Sequence, residues 1–526
     1  MKKSFVRGAI VLGIASIICK LFGAIFRIPL TFLINADGMG LYQLVYPIFA
    51  LCLVASSGGI PTSMSKIISK ERTKRNNKNI LIIFKMSIKI MLILSVFFSI
   101  LIALLSPIIS NVQGNNNLFV CYLILSPAIV FGALVACLRG YFQGFEEMRF
   151  SALSQVLEQF FKLIFGMFFA FIFQKFGVFY SVFGVFLGIN ISELISLTYL
   201  FLCYKKRKIY VDFSKNVDEE ITKKEAFRLI FKEALPITLT SIVVPLTGVI
   251  DSLIIIKLLQ NSGFDFTLSS SLYGLDSGVV ASLINLPSVV AISLSTSLMP
   301  SISASFALKN TKDINFKIKF AIKIVWYFTL FCALCYFIFS KQICYFLYGK
   351  MNSETFNQLN TVSLMLKFSS FSIIYIAINQ LLITLLQAAN ESYYCFFAMC
   401  FSVVIKIVLT IVLVLNKNLN IYGLVVGDVL CYATALLLNL LKARKVVEIS
   451  YGVKEFFLVP LLSLFNVAIV LFAVKFFTKN LLSRPLILLT LGVCFVIYLF
   501  SIFVFKGFNK KEINFNKIMK KFTKKR

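Results

Sequence analysis

Two permanent cations stand where the chain is otherwise built for lipid. Lys20 and Arg27 lie inside the apolar run GAIVLGIASIICKLFGAIFRIPLTFLI, residues 8–34. Together with Ala9, Gly13, Ser16 and Gly23 they recur at spacings of four, three, four, three and four, which places all six on one face of a helix. A charged side chain at the centre of a bilayer costs roughly 3 kcal/mol or more, so it faces protein or a water-filled cavity. The seven residues between the two cations correspond to about 10 Å of helical rise. Such a stripe offers no covalent chemistry. Its small residues leave room, and its cations neutralise an anion, so Lys20 and Arg27 are the candidate substrate-binding residues of a cationic cavity.

Few other charges lie within apolar segments. Glu158 and Lys162 sit four apart with Glu first, the favourable order for a helical pair, and Ser154, Gln155 and Gln159 accompany them. They read either as a self-neutralised pair or as cavity groups. Glu193 stands alone midway along the next segment, as a proton site or as a hydrogen-bond partner for a neighbouring helix. Pro236, Thr240, Thr247 and Asp251 share a face of the seventh segment, with Asp251 at a depth comparable to Arg27. An Arg27–Asp251 pair would close an outer gate, and an anionic substrate competing for Arg27 would open it. Asp251, Glu158, Lys162 and Glu193 are therefore the candidates for gating or coupling.

The elements that must hold these residues follow from composition. Of 526 residues, 59% are hydrophobic and 14% charged, against roughly 25% charged in soluble domains. Mean hydropathy is +0.90. This is an all-α polytopic membrane protein, and its net charge of +31 carries no implication of nucleic-acid binding. The chain has no histidine, which removes the commonest metal ligand and the usual proton relay near neutral pH. The twelve cysteines lie mostly in apolar segments and read as small packing residues. No metal, cofactor or enzymatic activity is expected. Short outer loops with scattered acids (Asp265, Asp276, Glu354) do not suit a membrane glycosyltransferase.

Fourteen apolar segments reach the roughly 20 residues a membrane helix needs. Loops rich in Lys and Arg (70–78, 205–208 with 223–228, 308–319, 442–445 and the tail) alternate with nearly uncharged ones (35–40, 111–117, 260–271). Basic loops remain cytoplasmic, so both termini are expected inside. Lys20 interrupts the first segment and no small-x-small site follows, so it reads as an uncleaved span. The chain also repeats itself at offsets of 239–244 residues. Gln143 to Lys162 matches Gln387 to Lys406, Glu147 matches Glu391, Pro47 and Pro61 match Pro287 and Pro300, and Gly184-xxx-Gly188 matches Gly423-xxx-Gly427. Six spans per copy make the repeats parallel, and such halves place a substrate site between them. The expected organisation is an N-lobe at 1–204, a cytoplasmic linker at 205–228, a C-lobe at 229–445, two added spans at 446–506 and a basic tail at 507–526. The tail and basic loops suit anionic lipid.

Several stretches carry a family likeness. KLFGAIFRI at 20–28, GMGLYQLVYP at 38–47, SSGGIPTSMSKIISKE at 56–71, RGYFQGFEEM at 139–148 and LINLPSVVAISLSTSLMPSISASFA at 283–307 resemble the stage V sporulation protein B group. That group lies within the multidrug/oligosaccharidyl-lipid/polysaccharide exporter superfamily, close to the lipid II flippases. The resemblance implies fourteen spans in two parallel six-helix lobes plus two C-terminal helices, and a flippase for an undecaprenyl-diphosphate-linked saccharide. It implies that Lys20 and Arg27 bind the lipid-linked diphosphate. One position departs: the Gram-negative flippases carry an arginine where this chain has Ser282. The expected partner is a lipid-linked oligosaccharide diphosphate, the expected state a monomer in the cell membrane. The alternative is a cation-coupled multidrug exporter.

Overall fold

Inside lipid a helix satisfies all its own backbone hydrogen bonds, which is why apolar runs of this length fold as helices. The computed structural model describes residues 2–73, 76–208, 220–348, 353–416, 418–447, 452–477 and 484–508, and among these there is no strand. The helices in order are α1 (Lys2–Ser57), α2 (Ile60–Thr73), α3 (Asn77–Val112), α4 (Leu118–Gly144), α5 (Met148–Phe173), α6 (Val178–Lys208), α7 (Lys223–Asn261) and α8 (Phe266–Gly274). After a π-helical turn at Leu275–Val280 come α9 (Ala281–Ala307), α10 (Thr311–Tyr348), α11 (Ser353–Ala388), α12 (Ser392–Val414) and α13 (Tyr422–Val446). A second π-helical turn, Lys454–Leu458, leads into α14 (Val459–Phe477), and α15 (Arg484–Val504) ends the series. Part of the expected linker (209–219) and most of the expected basic tail (509–526) lie outside the described residues.

Thirteen stretches among the described residues are long and apolar enough to cross a membrane. The first, Val11–Arg72, has 62 residues and an extent of about 93 Å at 1.5 Å per residue, against a hydrocarbon core of about 30 Å. It contains two crossings. They part at Asn35, whose φ of 57° and ψ of −174° break the helix inside α1. Such a conformation costs an L-residue about 1–3 kcal/mol, and Asn tolerates positive φ better than most. Separating the crossings there gives the fourteen spans that the hydropathy pattern predicts.

The duplication is visible in backbone detail. Between α4 and α5, Glu146 adopts φ 61°; between α11 and α12, Asn390 adopts φ 63°. The next amide closes the same bond in each copy, Glu147 N–H to Phe142 C=O at 2.9 Å and Glu391 N–H to Leu386 C=O at 2.8 Å. This left-handed residue with a six-to-one bond is how many helices satisfy their last carbonyls. The glycine pairs also recur in function. A Cβ on Gly188 would come 2.4 Å from Gly166 N on α5, and one on Gly427 would come 2.5 Å from Thr410 Oγ1 on α12, so both pairs allow close helix approach.

The chain divides into two compact units, one of residues 1–282 with 392–427 and one of 283–391 with 428–526. In the first, α2, α3, α4, α6 and α7 share a core that includes Met64, Ile83, Phe84, Phe142 and Ile230, with the Phe84 and Tyr141 rings 4.5 Å apart. In the second, α10 holds the last two spans. Lys323 is fully buried and its ammonium lies 3.0 Å from Glu455. Trp326 Nε1 donates to Phe456 C=O at 2.8 Å, and Tyr498 OH donates to Tyr327 C=O at 2.9 Å. A buried charge persists only when paired and hydrogen-bonded, so this knot fixes α14 and α15 on α10. Large apolar side chains such as Phe503, 75% exposed, face outward, as lipid contact requires.

Candidate functional site

The site begins on α1. Its stripe is open. A Cβ built on Gly13 or Gly23 meets nothing within 4 Å, and Lys20 is exposed, with no hydrogen-bond or ion-pair partner among the described residues. Ser16 turns back to bond Leu12 C=O at 2.9 Å. Ala9 lies outside the residues whose side chains are described. Elsewhere on α1, Ala15, Phe26 and Leu30 are buried while Ile14, Leu21 and Ile25 are exposed, and Phe26 meets Gly166 of α5.

Arg27 is half-buried and reaches the π-helical turn after α8. Its Nη1 donates to Gly278 C=O at 3.1 Å, to Ser277 C=O at 3.4 Å and to the Ser282 hydroxyl. Ser282 donates in turn to Gly278 C=O. A π-turn displaces carbonyls from regular helical bonding and recurs at functional sites; here those carbonyls become acceptors for a guanidinium. The turn and α8 before it are both pinned against α1. A Cβ on Gly40 would lie 2.2 Å from Ser270 O, and one on Gly278 would lie 2.5 Å from Met39 Cγ. All of Arg27's acceptors are neutral, so its charge is held in place without being cancelled.

The expected pairings come out differently. Arg27 and Asp251 are not brought together. Asp251 Oδ2 lies 2.6 Å from Lys406 Nζ of α12, with side-chain exposures of 16% and 6%. Glu158 and Lys162 do not pair either. Glu158 Oε2 lies 2.7 Å from Arg139 Nη2 of α4, and Gln159 Nε2 donates to its other oxygen at 3.0 Å. Arg139 Nε also donates to Ser154 Oγ at 2.8 Å, and Nη2 to Ser196 Oγ at 3.3 Å. An inter-helix partner has taken the carboxylate that the i+4 spacing offered to Lys162. Lys162 points elsewhere, its ammonium 5.1 Å from the Tyr46 ring and 6.0 Å from the Phe26 ring. Glu193 is buried, and its Oε2 has no hydrogen-bond partner among the described residues.

Reading the sequence alone singled out neither Arg139 nor Lys406 as a site residue. The signal for Lys406 was present, since the repeat puts it at the position of Lys162. For Arg139 it was only the motif RGYFQGFEEM, in which a cation precedes the α4–α5 turn. The π-turn left no sequence signal beyond Gly278. No cluster of three His, Cys, Asp or Glu side chains forms among the described residues. Cys332 and Cys335, one turn apart on α10, are free thiols in an apolar stretch.

Comparisons with known proteins agree with this architecture. Residues 5–306 match the model of a family described as "Polysaccharide biosynthesis protein". Stage V sporulation protein B of Bacillus subtilis (strain 168) is 25% identical over 457 residues, covering 86% of each chain. The lipid II flippase MurJ of the same organism is 23% identical, covering 86% of this chain and 85% of that one. Among solved structures, a lipid II flippase MurJ in an inward closed conformation superposes with a TM-score of 0.69 at 16% identity, over 94% of this chain and 99% of that one. The fold is shared.

Proposed function

Since the chain belongs to the polysaccharide biosynthesis protein family, we propose that it is a flippase that carries an undecaprenyl-diphosphate-linked saccharide across the cytoplasmic membrane by alternating access. The cargo is a lipid II-like peptidoglycan precursor or a polysaccharide repeat unit. The observation that carries this reading is Arg27, a guanidinium within a membrane span whose acceptors are two carbonyls and a hydroxyl. Hydrogen bonds to ionised oxygens are roughly twice as strong as those to neutral ones, so a phosphate oxygen displaces these acceptors. Exposed Lys20, on the same open face, supplies a second charge. The polyprenyl tail stays in lipid while the headgroup crosses.

The relatives' names support the reading: one is a lipid II flippase and one a sporulation protein. With both termini cytoplasmic, as the loop charges require, outward movement of an anionic headgroup is driven by the inside-negative potential, at about 2.3 kcal/mol per charge per 100 mV. No bond is made or broken in the cargo, so the activity is transport.

The test is complementation of a flippase-depleted bacterial strain, together with an assay of lipid II accessibility at the outer surface. The full chain restores both. Lys20→Ala/Arg27→Ala, expressed at the same level, lowers flipping about 100-fold or more, as loss of two charge-assisted contacts implies. Undiminished flipping by that variant removes the site assignment. Drug resistance in a sensitive host without any flipping replaces the reading with the multidrug-exporter one.

A further inference from the structure

Glu193 is a carboxyl group enclosed within the first repeat. It sits midway along α6 and is 8% exposed, in a span where ionisable side chains are rare and mark proton or ion pathways. Its carboxyl lies against α4, where a Cβ added to Gly132 would come 3.7 Å from Glu193 Cδ. Oε2 is buried and has no hydrogen-bond partner among the described residues. Asn190, three residues earlier and neighbouring it on the helix surface, shows the same shortage. Its Nδ2 donates to Ile124 C=O at 2.7 Å and to Phe186 C=O at 3.1 Å, which leaves Oδ1 buried without a donor. Two buried acceptors one turn apart therefore lack a hydrogen. An ionised carboxylate offers only acceptors, whereas a protonated one carries an O–H donor.

The surrounding charges are engaged elsewhere. α6 packs on α5, α4 and α1. The charged groups that act on Glu193 are Glu158 and Lys162 of α5 and Arg139 of α4, while Tyr42 and Tyr46 of α1 act on Lys162. Neither cation forms an ion pair with Glu193. Arg139 gives Nη2 to Glu158 at 2.7 Å and Nε to Ser154 at 2.8 Å, and the Lys162 ammonium lies over aromatic rings. A buried carboxylate persists only when paired, so this arrangement fits the neutral acid. A partner for the ionised form is already at hand, because Arg139 Nη2 also reaches Ser196 at 3.3 Å, three residues beyond Glu193. Loss of the proton gives Arg139 a second carboxylate and loosens the bond that ties α4 to Glu158 of α5.

We propose that Glu193 is a proton-binding site that couples transport to the proton gradient, with Arg139 as the group that responds to its charge. The role rests on the flippase reading and adds the coupling ion. The proton joins a carboxylate oxygen from the outer side and leaves toward the cytoplasm as the headgroup moves out. Both movements run with an inside-negative potential.

The experiment uses the full chain in vesicles containing lipid II, with the membrane potential held at zero by potassium and valinomycin. A pH difference of about one unit supports about a tenfold excess of headgroups on the acidic side, for one proton per cargo. Glu193→Gln abolishes that excess and Glu193→Asp retains it. In the purified protein, an infrared titration shows a carboxylic-acid carbonyl band that Glu193→Gln lacks. Wild-type flipping that equilibrates lipid II without responding to the pH difference overturns the proposal and leaves the flippase reading standing. So does a wild-type response in Glu193→Gln, an infrared titration identical in the two proteins, or an excess that follows a sodium difference at equal pH. Failure of both Glu193→Gln and Glu193→Met to run as monodisperse protein when Glu193→Asp does marks a packing role and also overturns it. Absence of any lipid II movement by wild type overturns the flippase reading and this proposal with it.

Discussion

Gly23 offers a way to obstruct transport without disturbing the fold. It sits between Lys20 and Arg27 on the open face of α1, and an added Cβ there meets no atom within 4 Å. Replacing glycine with leucine inside a helix gains up to about 1 kcal/mol of intrinsic helix preference. The added Cβ meets no atom within 4 Å, so Gly23→Leu is expected to keep or slightly raise the melting temperature. Its side chain projects into the space between the two cations. On the proposed function, a headgroup held by both cations meets a branched apolar group in its path and loses at least part of one charged contact, worth about 1.5–3 kcal/mol. Flipping should fall about 10-fold or more. The control is Gly40→Leu on the same helix, where a Cβ lies 2.2 Å from Ser270 O; that variant should melt lower. The assay pairs thermal denaturation in detergent with lipid accessibility in reconstituted vesicles. Wild-type flipping by Gly23→Leu would refute the idea that this face lines the substrate route, and a lowered melting point would refute the open-space geometry itself.

Other outcomes follow from the ion pairs and from one cap. Glu158→Ala leaves Arg139, only 16% exposed, without its carboxylate and should cost about 3–5 kcal/mol, seen as a lower denaturation midpoint; Arg139→Met/Glu158→Met should recover most of it. Asp251→Ala should also destabilise, by removing the carboxylate 2.6 Å from buried Lys406, with Asp251→Leu/Lys406→Met as the compensating pair in the same denaturation assay. Asp265 caps α8, and its carboxyl is held below the usual carboxylate range first by the Thr267 hydroxyl and then by the Leu268 amide. Its contribution is complete above the unfolded value of about 3.9 and is lost as pH falls through the lower folded value. Asp265→Asn keeps a capping oxygen and should remove that acid limb from the pH dependence of the melting temperature.

Helix content, the approximate number of spans and the duplication were legible because each depends on local apolar runs and spacing. The turn residues Glu146 and Asn390 even repeat their backbone angles. The partners of the charges were not legible. Sequence spacing proposes neighbours along one helix, as with Glu158 and Lys162, but a guanidinium on α4 reaches the same carboxylate from outside the helix and adds bonds to Ser154 and Ser196. Likewise Asp251 pairs across to α12 because Lys406 is buried there and a buried ammonium requires an anion. Arg27 was identified from its position, yet its acceptors are mostly backbone atoms in a π-turn, and no residue type announces a carbonyl.

That last feature has an evolutionary side. Two of the three groups that hold Arg27 are main-chain carbonyls of Ser277 and Gly278, which every amino acid possesses. Side-chain change at position 277 therefore leaves this docking point intact. At 278 the barrier to change is the volume of Met39 rather than chemistry. Only Ser282 contributes a group that a point mutation can delete, and loss of its hydroxyl would loosen the resting position of Arg27 without removing it. The resting geometry of Arg27 is thus largely sheltered from mutational drift, while the side chains around it remain free to change.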